Sequence, residues 1–229
     1  MRLIDKIKTN NMSLIVSLPK NDIDLAKAAL NGGADAIKVH TNVWHRASNN
    51  VFPPFLEQIE LLKKIIDSVS IPVGLVPGGE NSCVTENEIK TIKSMGFDFI
   101  SMFVHHMPLY IYKSGITIMA TITNDYTIDD IKALDDLNVD IIEADMIKDD
   151  KKDIIRLYDL MRYKKVVKAL DKPVCVPTQR IINQNDVIDL HNIGVKCLMI
   201  GAIVTGDIPG ELENITKSYR KEIDIINRC

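Results

Sequence analysis

Residues 172–206 read KPVCVPTQRIINQNDVIDLHNIGVKCLMIGAIVTG and carry the strongest fold signal in the chain. An apolar run at 173–177 ends in the polar loop 178–183, and a segment with helical period follows. A second apolar run, 195–200, then leads directly into Gly201. This alternation predicts two neighbouring parallel strands joined by a helix.

The ends of these two strands predict a phosphate site. Many (β/α)₈ barrels hold a substrate phosphate between the loops that follow two late strands. Glycine lets a backbone approach the oxygens closely, and a following helix start supplies N–H groups. We therefore expect Thr178, Arg180 and the backbone of Gly201 and Ala202 to bind the phosphate. The alternative is an ordinary strand–helix–strand unit with a packing glycine.

The same alternation continues through the whole chain and predicts a single (β/α)₈ TIM barrel, class α/β, over residues 1–229. A doubly wound open sheet is the alternative, but no glycine-rich loop follows the first strand. The predicted strands are 14–18, 36–40, 72–76, 97–104, 116–123, 139–144, 173–176 and 195–200. The predicted helices are 22–31, 55–68, 85–95, 127–137, 150–170, 185–192 and 209–226.

Composition excludes several classes of function. The chain is 46% hydrophobic and 26% charged, as expected for a globular protein. A net charge of −3 gives no reason to expect nucleic acid or a membrane surface as a partner. No apolar run reaches the roughly 18 residues of a membrane span, and the N-terminus is too polar for a secretion signal. We expect a cytoplasmic protein with a small phosphorylated substrate, no cofactor and no metal; a homodimer is left open.

Polar residues inside the apolar strands indicate where chemistry takes place. Alternate residues of a barrel strand point inward, and active sites lie at the C-terminal strand ends. Lys38 and His40 share one face of the second strand, and Glu143 shares a face with Asp145 on the sixth. Burying Lys38 or Glu143 alone would cost several kcal/mol, so we expect them to meet in the barrel. The pair is either a proton-transfer site or a structural ion pair.

Other residues are expected around this pair. His40 is the better histidine candidate; His105 follows the fourth strand beside His106, and only one of those two is expected to point inward, whereas His45 is expected in a mobile loop. A metal bound by His40, His105, Glu143 and Asp145 is an alternative without close ligand spacing to support it. The remaining substrate-binding candidates are Ser17, Thr121 and, in a long polar loop, Arg46.

Four segments resemble the ribulose-phosphate-binding barrel superfamily, and within it N-acetylmannosamine-6-phosphate 2-epimerases. They are LIVSLPK (14–20), NGGADAIKVH (31–40), ITIMATITNDYTIDDIKALDDLNVDII (116–142) and the stretch 180–206. The resemblance implies a phosphosugar-binding barrel of carbohydrate metabolism.

The same resemblance implies roles for particular positions. Arg180 matches the family's strand-seven arginine, and Lys38 matches its strand-two cation. The family's catalytic lysine falls on Pro77, its catalytic acid on Thr178 and its strand-five acid on Thr121. The family's acid–base pair is therefore absent, and its mechanism is not transferred to this chain.

Three functions follow as hypotheses. The first is an isomerase or epimerase of a phosphorylated sugar or related carbonyl compound, with an enol or enolate intermediate. In it Glu143 takes the proton, and Lys38, helped by His40 or His105, stabilises the oxyanion. The second is a class I aldolase or lyase with a Schiff base on Lys38 or Lys148. The third is a non-catalytic phosphosugar-binding barrel.

Overall fold

The structure, a computed structural model, describes residues 1–147 and 153–228. Eight parallel strands close into a barrel, in the order β1-β10-β9-β8-β7-β6-β5-β2. The prediction of a (β/α)₈ barrel is confirmed. The barrel strands are β1 Ser13–Ser17, β2 Ala36–His40, β5 Val73–Val76, β6 Phe99–Phe103, β7 Thr117–Thr123, β8 Ile141–Asp145, β9 Val174–Pro177 and β10 Cys197–Ile200.

Helices surround the barrel, and several begin at capping residues. Thr85 and Glu88 form the capping box of the helix Glu86–Met95, and Asp22 accepts two backbone N–H groups at the start of the helix Ile23–Asn31. The helices are α1 Leu3–Thr9, α2 Ile23–Asn31, α3 Phe55–Ser68, α4 Glu86–Met95, α5 Leu109–Tyr112, α6 Ile128–Lys132, α7 Leu157–Ala169, α8 Val187–Asn192, α9 Ala202–Thr205 and α10 Pro209–Arg228. Short 3₁₀ turns lie at Val104–His106, Ala133–Asp136 and Gln184–Asp186.

Two predicted helices are wrong in extent. The predicted helix 127–137 is α6 followed by a 3₁₀ turn. Of the predicted helix 150–170, positions 150–152 lie outside the described residues, and α7 begins at Leu157, because Ile154 is extended and pairs with Ile181. Arg156 precedes the first turn, and its N–H donates to Asp159 at 3.0 Å. A long-range bridge to the loop after β9 therefore overrides local helical preference in this segment.

The loop after β2 is also different from expectation. The sequence predicts that the polar residues 41–50, which include Arg46, form a long loop, but Val43–His45 (β3) pairs with Asn50–Phe52 (β4) in an antiparallel hairpin. The side chain of Asn50 donates to the carbonyl of Pro19 at 2.8 Å and anchors the hairpin to the loop after β1. The hairpin stands at the C-terminal end of the barrel, where the polar residues collect.

The two ends of the barrel interior differ in polarity. At the N-terminal end, α1 places Leu3, Ile4 and Ile7 in one buried cluster with inward-facing strand residues such as Phe99. The ring of Phe99 occupies the space next to Gly74, where an added Cβ would come within 2.2 Å of ring atoms. This end is apolar and filled. The opposite end holds buried polar side chains and a cavity.

No helix among the residues described is both long and apolar enough to cross a membrane.

Candidate functional site

A cavity of about 690 Å³ opens at the C-terminal ends of the barrel strands. Its volume lies in the range of small-molecule sites. Seven residues expected in the site line it: Ser17, Lys38, His40, Arg46, Thr121, Glu143 and Thr178. Gly201 and Ala202 line it as well. Most of the candidates that were scattered along the sequence are thus gathered at one place.

The floor of the cavity is an ion pair between Lys38 and Glu143. The Lys38 Nζ lies 3.1 Å from Oε1 and 3.2 Å from Oε2 of Glu143. Each side chain is only 7% exposed. The two residues come from β2 and β8, which are four strands apart in the barrel order and therefore face each other across the interior.

Two hydroxyl groups complete the surroundings of Glu143. Ser101 donates to Oε2 of Glu143 at 2.6 Å, and Thr121 donates to the same oxygen at 3.3 Å. Thr121 stands beside Glu143 because the two are in register between β7 and β8. Ser101, on β6, was missed in the sequence, although it is a polar residue inside an apolar strand. Glu143 thus accepts hydrogen bonds from one lysine and two hydroxyl groups.

His40 lies beside the ion pair and is only 2% exposed. Its Nε2 is 3.5 Å from the Ser17 hydroxyl oxygen, and its Nδ1 has no hydrogen-bond partner among the described residues. Burial lowers the pKa of His40 well below its usual value, and the charges of His45 and Lys38 lower it further. His40 is therefore neutral at physiological pH.

His45 connects the hairpin to the barrel. Its ring centroid lies 4.6 Å from that of His40 and 6.0 Å from that of Phe52. Burial, followed by the charge of Lys38, lowers the pKa of His45 to about 4. The expectation that His45 belongs to a loop is wrong, because His45 is the last residue of β3, where its Nδ1 lies 2.8 Å from the Ser48 hydroxyl.

A second carboxyl group lines the cavity at the end of β8. Asp145 is two residues beyond Glu143 on the same strand face, and the side-chain amide of Gln179 donates to its Oδ1. Burial and the charge of Glu143 raise the pKa of Asp145 to about 6. Gln179 was missed because nothing in the polar loop after β9 distinguishes it from its neighbours.

The loops after β9 and β10 meet at the cavity wall. The N–H of Gly201 donates to the Thr178 hydroxyl at 3.0 Å, which ties one loop to the other. Gly201 has an extended backbone with φ −149°, and an added Cβ would lie 3.5 Å from the Cβ of Ser17. No protein contact therefore requires glycine at this position. The small residue leaves room between the two loops.

Two of the expected site residues do not line the cavity. Arg180 is buried, and its Nε lies 3.7 Å from Oδ2 of Asp159 on α7, so it faces the helix layer. His105 contacts the hydroxyl of Tyr126 and is exposed, whereas its neighbour His106 lines the cavity. The direct roles expected for Arg180 and His105 stay predictions, and neither side chain is among those that line this cavity. Of the two arginines considered, Arg46 on the hairpin lines the cavity.

No group of three or more His, Cys, Asp and Glu side chains within 1–147 and 153–228 could hold a metal ion. Lys148, the second Schiff-base candidate, lies outside the described residues.

No family model matches the sequence, and neither does any curated protein. Solved structures do match. The tryptophan synthase α-subunit from Pyrococcus furiosus has a TM-score of 0.73 at 14% identity, covering 93% of this chain and 99% of that chain. Thiamine phosphate pyrophosphorylase from Pyrococcus furiosus has a TM-score of 0.66 at 15% identity, covering 96% of this chain and 98% of that chain. At these identities the likeness is one of fold.

Proposed function

We propose that this protein is an enzyme that moves a proton on a small phosphorylated sugar or related carbonyl compound. The reaction is an isomerisation or epimerisation that passes through an enol or enolate. The observation that carries the proposal is the Lys38–Glu143 pair, which is buried yet lies on the floor of an open cavity. A buried ion pair is weak evidence for stability, so its cost points to use in a reaction.

The pair supplies the two groups that enolisation needs. Glu143 takes a proton from the carbon next to the substrate carbonyl, and Lys38 stabilises the oxygen that becomes negative. Neutral His40, beside Lys38, offers a second hydrogen-bonding group to the same oxygen. Because Lys38 and Glu143 already hold each other in position, little reorganisation is required when charge develops on the substrate.

The phosphate is assigned to the wall formed by the ends of β1, β9 and β10, beside the hairpin. The Thr178 hydroxyl accepts from Gly201 and can still donate its own proton to an anion. Ser17 and the backbone of Ala202 lie at the same wall, and Arg46 supplies a positive charge from the hairpin. One fold neighbour, thiamine phosphate pyrophosphorylase, is itself named for a phosphorylated compound.

The Schiff-base alternative fits this geometry less well. A Schiff base forms when the lone pair of an amine attacks a carbonyl carbon, whereas Nζ of Lys38 is engaged by both carboxylate oxygens of Glu143. A barrel that only binds phosphosugars would keep the cavity but would need no buried base.

The test measures whether the protein catalyses the incorporation of deuterium from D₂O into ketose phosphates. Wild-type protein is incubated in D₂O with dihydroxyacetone phosphate, ribulose 5-phosphate or fructose 6-phosphate, and uptake is followed by mass spectrometry. We expect Glu143→Gln to lower the rate by about 10²–10⁴-fold, the usual contribution of a general base. The ligand-induced rise in melting temperature should stay within a few degrees of the wild-type value.

The matched control is Glu60→Gln, on the exposed side of α3, which should exchange at the wild-type rate. Stabilisation of the wild type by these phosphates without any exchange would reject the enzyme and favour the binding barrel. Unchanged exchange in Glu143→Gln would remove Glu143 from the role of base. Mass trapping after borohydride reduction would instead identify a Schiff base.

A further inference from the structure

The amide of Gln179 is fixed in one orientation at the cavity wall. Its Oε1 accepts from the N–H of Ile147 at 3.1 Å, and its Nε2 donates to the carbonyl of Ile147 at 2.8 Å. Because both backbone groups of Ile147 are engaged, a flipped amide would set donor against donor and acceptor against acceptor. The second N–H of Nε2 must therefore face Asp145, whose Oδ1 it contacts.

The two carboxyl groups of the cavity have unlike surroundings. Glu143 is bonded by a cation and two hydroxyl groups. Asp145 is bonded by one neutral amide, and no other side chain among the described residues hydrogen-bonds it. A carboxyl pair whose environments differ in this way is how enzymes separate an acid from a base.

Asp145 is also placed within reach of the same substrate. It is two residues beyond Glu143, about 7 Å along the strand, on the same inward face. A carbonyl compound whose carbon lies over Glu143 would therefore have neighbouring atoms near Asp145, one layer closer to the cavity mouth.

We propose that Asp145, oriented by Gln179, is the acid of this site and protonates the substrate carbonyl oxygen as Glu143 removes the carbon-bound proton. The inference deepens the proposed function and rests on it. Asp145 would be a catalytic residue and Gln179 a positioning residue. The substrate class narrows to carbonyl compounds that carry an oxygen on the neighbouring carbon, because such compounds can accept both proton transfers.

The step balances without any further reactant. The carbon-bound proton passes to a Glu143 oxygen, and the electron pair of the broken C–H bond forms a C=C bond. The π electrons of the C=O bond move to oxygen, which takes the proton of the Asp145 carboxyl. The products are an enediol, protonated Glu143 and ionised Asp145. Reversal on the neighbouring carbon regenerates both side chains and gives the isomer.

The charges around Asp145 favour the two proton transfers described above. The negative charge of Glu143 raises the pKa of Asp145, while Arg46, Lys38 and the Gln179 amide lower it. Burial, followed by the charges of Asp159 and Asp145, raises the pKa of the Tyr163 phenol. When Glu143 becomes protonated, one charge that favours the acid form of Asp145 is removed, so proton uptake by one group promotes release by the other.

The experiment is the pH profile of deuterium uptake between pH 5 and 8, with the same three ketose phosphates. In the wild type, the uptake rate should fall about tenfold per pH unit above about pH 6, because the acid form of Asp145 is lost. Asp145→Asn should lower the rate at pH 6 by at least about 10²-fold and abolish this descending limb. Asp145→Glu should recover part of the rate.

Gln179→Leu separates positioning from structure. Loss of an amide that bonds the ionised carboxylate should move the descending limb to higher pH, an effect that loosened folding alone would not produce. Asp189→Asn, on the exposed face of α8, is the matched control and should leave rate and profile unchanged. Circular dichroism at each pH confirms that every variant is folded.

The outcomes separate this inference from the proposed function. If the wild type exchanges and Glu143→Gln does not, but Asp145→Asn keeps the wild-type rate and pH limb, the assignment of Asp145 is overturned alone. If the wild type exchanges no proton with any of the three compounds, the proposed function fails and the role of Asp145 falls with it.

Discussion

Two side chains of the cavity, Asp145 and His45, have pKa values displaced by burial in opposite directions. The pKa of Asp145 rises to about 6 and that of His45 falls to about 4. Both shifts disfavour the charged form, and both therefore reduce stability in part of the pH range.

The signs of the two contributions are opposite. Between its ordinary value and about pH 6, folded Asp145 binds more protons than the unfolded chain, so its contribution to stability falls as pH rises through this window. Between about pH 4 and 6.5, the unfolded chain binds more protons at His45, so that contribution rises with pH. The contributions of Asp145 and His45 to stability partly cancel near pH 5. A stability that does not change with pH in this range would therefore hide both pKa shifts.

We expect Asp145→Asn to stabilise the protein at pH 7.5 and to be nearly neutral at pH 4. Asparagine fits the same space, its oxygen accepts from Gln179, and it carries no buried charge. The gain at neutral pH should be about 2–3 kcal/mol, from a pKa displaced by about two units. Melting temperatures measured by circular dichroism at both pH values check it.

Asp189→Asn serves again as the control. Because Asp189 is exposed, its replacement should leave the melting temperature unchanged at both pH 4 and pH 7.5. A loss of stability at pH 7.5 in Asp145→Asn would show that the ionised carboxylate stabilises the folded barrel. A gain in stability when a charged group is replaced is typical of functional sites, where such groups are kept for chemistry at the expense of stability.

At the scale of elements, the barrel strands and most of the longer helices could be predicted from their periodicity, whereas the short helices α1, α5 and α9 were not predicted. The helix Phe55–Ser68 and the strand Ala36–His40 have the bounds expected from the sequence. The hairpin could not be predicted from periodicity, because each of its strands has only three residues and its register is set by contacts with His40 and Pro19. The start of α7 was misplaced for the same reason, since its position depends on pairing with a distant loop.

We expect the hairpin to depend on the Phe52 ring, whose centroid lies 4.7 Å from that of His40. Phe52→Ala removes this contact and should open the hairpin locally, so that trypsin cleaves after the exposed Arg46 at least about tenfold faster, the effect of about 1.4 kcal/mol. Cleavage is followed by mass spectrometry under native conditions.

Val51→Ala is the control, because Val51 is adjacent in β4 but 74% exposed. Equal cleavage rates for the two variants would show that the stack does not hold the hairpin. A general loss of stability would be recognised by faster cleavage at other lysines and arginines as well.

At the scale of the whole molecule, the barrel is filled by apolar residues at one end and by charges at the other. We expect the double variant Lys38→Met with Glu143→Leu to be at least as stable as the wild type. Apolar residues of similar volume often replace a buried ion pair without loss. Glu143→Leu alone should cost about 3–5 kcal/mol, because Lys38 would remain buried without its carboxylate.

Urea unfolding of the wild type, the single variant and the double variant measures these differences. A double variant clearly less stable than the wild type would show that the pair is needed to hold the barrel, and would weaken the argument that it is kept for chemistry. The double variant should also lose deuterium uptake entirely, because both proposed catalytic groups are gone.

The central part of the site could be predicted because barrel closure relates strand number to position. Lys38 and Glu143, on the second and sixth barrel strands, had to face each other once eight strands were counted. Arg180 could not be placed in the same way. Its position three residues after β9 fits a phosphate site, but its Nε pairs with Asp159, which lies on α7 and comes earlier in the chain. Loop side chains follow such partners rather than strand alternation.

The fit of Phe99 against Gly74 at the apolar end has an evolutionary consequence. Any side chain at 74 would collide with the aromatic ring, so these two positions should vary jointly among homologues, with alanine or larger at 74 accompanied by a smaller residue at 99. Gly74→Ala introduced by itself should destabilise the protein, and adding Phe99→Leu should restore part of what was lost.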